Sequence, residues 1–161
     1  MLHITQQQLK KIHAHLEAGY PHEACGILIG DIEFSAGADN STPIKTVRDV
    51  VLVQNAWEAV NERESQHNRY LISPDDMARA DREAGKKNQD IIGFFHSHPD
   101  DRSRPSETDR EWAWPVISFV IVSVQGDGTS QGKATTTQSW VLRDDRSQFD
   151  EELLRSDGTR P

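Results

Sequence analysis

Two stretches of the chain are almost continuously apolar and show no helical spacing. Residues 91–95, IIGFF, and 116–124, VISFVIVSV, therefore predict strands buried on both faces. A helical period occurs near the start, where Leu9, Ile12 and Leu16 are spaced three and four apart behind Thr5, a good N-cap. It predicts a helix over residues 5–18, closed by Gly19-Tyr20-Pro21. A second helix is predicted from Ser73-Pro74 to about Lys87, with Met77 and Ala80 facing inward. Shorter apolar runs at 25–30, 46–54 and 138–142 predict further strands, and Gln125-Gly126-Asp127-Gly128 predicts a turn. Residues 35–43 predict a turn-rich loop, and residues 55–70 a polar surface excursion anchored by Trp57 and Val60. A short helix after Ser106 is expected to carry Trp112 and Trp114 and to stop before Pro115. The tail, 144–161, is charged, with Phe149, Leu153 and Leu154 as its docking candidates. Helices alternating with strands around two buried strands indicate a layered α/β domain with a mixed sheet, whose topology the order alone leaves open.

Composition narrows the function. At 161 residues the chain is long enough for one core, and its net charge of -8 offers no basic face for phosphates, which argues against nucleic acid. Cys25 is the single cysteine, so an intramolecular disulfide and a thiolate-rich metal site are both excluded. No run approaches the roughly 18 apolar residues of a membrane span, and the opening residues lack the apolar core of a signal peptide. The expectation is a cytoplasmic protein with no membrane partner.

Candidate chemistry gathers where the first apolar run ends. Side chains two apart in an extended chain point to the same side, so His96 and His98 can face one point at the strand's carboxyl end. Pro99 stops the pairing, a polar run follows, and Ser106 suits the N-cap of a helix with Asp109 in its first turn. Folded back, that turn sets one carboxylate beside two imidazoles. Catalytic zinc sites commonly use three such ligands and keep a fourth position open. Ser97 should point to the opposite face, and His13 and His15, two apart on a helix, diverge and read as surface residues. Asp100, Asp101 and Glu107 read as a solvated rim, Cys25 as a small buried residue, and Trp57 as the tryptophan placed to touch a partner.

The string His96-Ser97-His98-Pro99, then Pro105-Ser106 and Asp109 with ten residues between His98 and Asp109, is far more specific than a histidine pair. With Glu23 upstream in PHEACGILIG, it resembles the signature of the JAMM family, the MPN-domain zinc metalloproteases. The resemblance implies a three-layer, deaminase-like MPN domain over residues 1–143, with 144–161 as a tail. It implies one zinc ion per chain on His96, His98 and Asp109, with Glu23 as general base and then acid. It gives Ser106 a second role as donor to the developing oxyanion and leaves His22 free. The short chain resembles the small free-standing bacterial members. These are associated with ubiquitin-like sulfur-carrier proteins ending in Gly-Gly, so such a carrier is the expected partner and substrate. Alternatives are a deubiquitinase-like isopeptidase and a zinc-binding scaffold without turnover. The oligomeric state has no signature in the sequence.

Overall fold

A single sheet organises the chain. In the computed structural model, which describes residues 1–34, 43–57 and 68–157, eight strands form one mixed sheet. These are β1 (Leu2–Thr5), β2 (Cys25–Glu33), β3 (Ile44–Val53), β4 (Asp90–Pro99), β5 (Ser118–Gly126), β6 (Gly132–Leu142), β7 (Phe149–Glu152) and β8 (Leu154–Asp157). Their order is β7-β6-β5-β4-β2-β3-β1-β8, with β4 and β5 parallel at the centre. Helix α1 (Gln6–Gly19) opens on Thr5, whose side chain accepts from the Gln8 amide in a capping box. It sets Leu9, Ile12 and Leu16 against one face of the sheet, on Leu28, Val50, Phe95 and Val122. Helix α2 (Pro74–Lys86), capped by Ser73, sets Ala80 and Ala84 against the other face, on Cys25, Ile27, Ile29 and Val53. The expected three layers are there, a mixed sheet with helices on both sides.

The apolar run at 91–95 is a central strand, but it does not alternate simply. Where β2 meets β4, Leu28 faces Gly93 while Ile29 faces Ile91, so Ile92 is an extra residue in a bulge. Ile92 and Phe95, three apart, therefore share the α1 core, and Ile91 and Phe94 turn toward α2. From Phe94 onward the alternation is regular. His96, paired with Cys25, and His98 follow it onto the α2 side.

Several expectations need correction. The chain before α1 is a strand, β1, and β6 begins at Gly132, six residues before the predicted 138. The third helix, α3 (Glu107–Trp112), ends at Trp112, so Trp114 lies outside it. His13 and His15 are half-buried, bonded to Thr137 Oγ1 at 2.8 Å and to the Cys25 carbonyl at 2.9 Å. The charged tail supplies both edge strands. Phe149 packs beside Phe119, and Leu154 against the α1 core, while Leu153 stays exposed. Most of the predicted loops at 35–43 and 55–70, including Val60, and the last four residues lie outside the described residues.

Because Leu153 alone separates β7 from β8, the two edges of the sheet are brought together. A buried ion pair sits at this closure: Lys45 Nζ of β3 lies 3.1 Å from Glu152 Oε1 of β7. Burial works against the Glu152 carboxylate, yet the Lys45 ammonium and the Ser118 and Ser139 hydroxyls, at 2.6 and 2.8 Å, hold its pKa below the usual value. Lys45 also donates to the Val116 carbonyl at 2.6 Å. Val116 is β-branched with φ at 73°, a conformation that costs about 1–3 kcal/mol and persists only when its surroundings fix it. The Met1 ammonium, a quarter exposed, lies 3.1 Å from the same oxygen and is left as a charge partner when Lys45 is replaced. Lys45→Met is therefore expected to cost up to about 3–5 kcal/mol in urea unfolding, and Lys45→Met with Glu152→Leu to recover part of it. Equal losses in the single and double variants would contradict this account of the closure.

Candidate metal centre and active site

β4 carries His96 and His98 to the carboxyl end of the sheet, and the loop after it returns through Ser106 to α3. Ser106 is the N-cap of that helix: its Oγ accepts from the Asp109 amide at 3.2 Å, and its own amide and hydroxyl each reach Asp109 Oδ2 at 2.6 Å. This capping box fixes the carboxylate. Asp109 Oδ1 lies 3.1 Å from His96 Nε2 and Oδ2 lies 3.4 Å from His98 Nε2, while the two Nε2 atoms are 3.1 Å apart. All three side chains are buried. A nitrogen, a nitrogen and a carboxylate oxygen thus converge on one point, placed to hold a metal ion.

The surroundings prepare these atoms for a cation. His98 Nδ1 lies 2.8 Å from the Arg102 carbonyl, a bond that requires the proton on Nδ1 and leaves the Nε2 lone pair facing the centre in the neutral ring. His96 stacks on Tyr70 with ring centroids 4.5 Å apart, and its Nδ1 is buried without a partner among the described residues. Burial lowers the His96 pKa. Burial also works against a charged His98, but Asp109 and the Arg102 carbonyl outweigh it and raise that pKa. Burial opposes the Asp109 charge too, yet the two imidazoles and Ser106 hold its carboxyl far below the usual range. The imidazoles and Ser106 thus keep Asp109 an anion at this point despite its burial.

Glu23 reaches the site from another element. It lies two residues before β2, whose Cys25 pairs with His96. Ala24 donates its amide to Ser97 Oγ at 3.0 Å, and the Ser97 amide donates back to the Ala24 carbonyl at 3.0 Å. Ser97 does face away from the histidines, as expected, but it also clips the Glu23 segment to β4. Glu23 is buried and, with Ser106 and Asp109, lines one cavity of about 210 Å³. Burial pushes its carboxyl up to about 8.

The other candidates fall away from the centre. His22 is exposed, and Cys25 is buried with its thiol pushed up to about 12 by burial, which leaves it an inert core group. Asp101 and Glu107 are exposed rim residues, Glu107 paired with Arg110 at 2.6 Å. Asp100 is exposed but structural: it accepts from Tyr20 Oη and from the Gly126 amide, both at 2.8 Å, and so anchors the loop that follows His98.

Residues 5–143 match the model of prokaryotic homologs of the JAB domain. The chain belongs to this family. It is 30% identical over 111 residues to a desampylase of Haloferax volcanii, an alignment covering 68% of each protein. Among solved structures it is similar to a Salinibacter ruber protein, with 32% identity and a TM-score of 0.66 over 100% of this chain and 95% of the other. A Desulfitobacterium hafniense protein, DSY2949, shares the fold at 24% identity, with a TM-score of 0.71 over 98% of this chain and 93% of that one.

In this JAB domain one further residue has a positioning role that the sequence analysis passed over. The Asn55 amide nitrogen donates to the carbonyls of Glu23 and Arg69, each at 2.9 Å, and its oxygen accepts from the amides of Trp57 and Leu71, each at 3.0 Å. One side chain thereby ties the Glu23 backbone to both ends of the excursion after β3. Nothing in the local sequence marks it, since it is one polar residue in a polar stretch. Asn55→Ala leaves four backbone groups short of a partner. It is expected to cost about 1–3 kcal/mol in stability while metal is still bound one per chain. Loss of metal binding in a folded Asn55→Ala variant would show that Asn55 acts on the ligands instead.

Proposed function

We propose that this chain is a zinc-dependent peptidase of the JAMM type. Its substrate is the peptide or isopeptide bond at the Gly-Gly tail of a ubiquitin-like sulfur-carrier protein, met in the cytoplasm. The observation that carries the reading is the convergence of His96, His98 and Asp109 on one point, with Asp109 and a buried Glu23 lining the same cavity. Two imidazoles and one carboxylate, with a side open to the cavity, suit zinc in a catalytic rather than a structural site. When bound there, zinc supplies a Lewis acid that acidifies water and polarises a carbonyl.

The protein's own groups do the rest. Glu23 accepts the proton of the attacking water and returns it to the leaving amine, and its burial lifts the carboxyl toward neutrality, where a group can both take and give a proton. Ser106 donates to Asp109 in the resting arrangement. To serve a developing oxyanion its hydroxyl turns from that carboxylate toward the substrate, while its amide keeps Asp109 in place. A Gly-Gly tail has no side chains and can lie extended along the cavity mouth, so recognition falls to the carrier's folded body and to main-chain hydrogen bonds. The likeness to a desampylase supports hydrolysis on a ubiquitin-like partner. A scaffold without turnover would have no use for a carboxylate desolvated beside the three ligands.

The test is intact-mass analysis of a Gly-Gly-tailed carrier bearing a short C-terminal extension. Zinc-loaded protein is expected to cleave after the second glycine. Glu23→Gln should bind zinc equally and lose roughly a hundredfold to ten-thousandfold in rate. Undiminished cleavage by Glu23→Gln would remove the base from the mechanism.

A further inference from the structure

The cavity that reaches the centre at Asp109 and Glu23 is far more apolar than a Gly-Gly tail requires. Beyond Glu23, Ser106 and Asp109, its walls are built largely from Trp57, Tyr70, Ile72, Met77, Phe94 and Phe119, with the indoles of Trp112 and Trp114 at its edge. Those two tryptophans are 69% and 65% exposed. Large apolar side chains left open beside a reactive centre mark a place where something apolar is bound.

We propose that this cavity is a side-chain pocket for a bulky apolar residue immediately after the scissile bond. The inference rests on the peptidase reading above. Size fits: a cavity of 150 Å³ lined by aliphatic and aromatic groups accepts a benzene ring, and this one is about 210 Å³. Position decides which residue enters. The pocket shares Glu23, Ser106 and Asp109 with the centre, so it begins at the reacting carbonyl. On the amino side of that carbonyl the tail offers two glycines, and the next side chain lies three residues back, about 10 Å along an extended chain. The first residue on the leaving side is the nearest side chain available. An ionised side chain would be desolvated between apolar walls, and the same lining sets Arg69 beside Glu23 and Asp109, so the wall selects neither sign of charge. Removing such a residue exposes the glycine pair, and the apolar contact would distinguish the extended carrier from the trimmed product.

The test uses folded carriers ending in Gly-Gly-X-Ala, with X as Phe, Leu, Gly, Asp or Lys. They are assayed with the zinc-loaded protein and with a Trp112→Ala, Trp114→Ala double variant, whose changes fall on exposed side chains. The expected result is kcat/KM at least tenfold higher for Phe and Leu than for Gly, Asp or Lys, as for other apolar pockets. The double variant should narrow that gap by lowering kcat/KM for Phe and Leu more than for Gly. Equal kcat/KM across the series would overturn the pocket and leave the peptidase reading standing, and a preference for Lys would reassign the space to a lysine stem. Cleavage of none of them by zinc-loaded protein would overturn both.

Discussion

Two hydrogen bonds between Ala24 and Ser97 hold the two halves of the site in register. The ligand half depends on β4, which ends in His96 and His98, and on the capping box that returns Asp109 to them. The other half is one residue, Glu23, on a segment more than seventy residues earlier in the chain. Neither half can find the other by local structure. The pairing of Cys25 with His96 brings the strands together, and the Ser97 hydroxyl extends that pairing one step past the end of β2, where a backbone amide would otherwise lack a partner. Asn55 then fixes the Glu23 carbonyl from the opposite direction. In the proposed mechanism a buried carboxylate working beside the three candidate ligands needs both restraints, because a displacement of even 1 Å can cost a hundredfold in rate.

What the sequence made legible was local and periodic. The ligand string is short, its parity along a strand is fixed by the pleat, and Ser106 is both a motif residue and a good N-cap, so its position and that of Asp109 could be read directly. Helix α1 announced itself through Leu9, Ile12 and Leu16, and α2 through Ser73-Pro74. The remainder depends on partners distant in sequence. β1, β7 and β8 are four residues each and β7 is mostly acidic, so no alternation has room to show. Strand β6 begins in a threonine-rich stretch whose outward side chains hide the pattern. The bulge at Ile92 cannot be read from an unbroken apolar run, because every position looks equally suited to either face.

The tryptophans show the same limit from the other side. Large apolar residues are expected in a core, and Trp112 and Trp114 sit within a few positions of a ligand, yet both are exposed. Their placement follows from α3 ending at Trp112, which leaves the next residues extended over the mouth of the cavity and buries only Ala113 between them. The fold thus spends its apolar surface unevenly. Two cores bind α1 and α2 to the sheet, a buried Lys45–Glu152 pair ties β3 to the edge strand β7, and the remaining aromatic surface is gathered beside the candidate ligands.

The account stands or falls on the three side chains acting as one metal site. X-ray absorption at the zinc edge, on protein loaded to one equivalent, reads the ligand set directly. The prediction is a low-coordinate site with two imidazole nitrogens, the remaining scatterers oxygen, and loss of one imidazole contribution in His98→Ala. A sulfur contribution from Cys25, or a zinc spectrum unchanged by His98→Ala, would place the metal elsewhere and contradict the assignment.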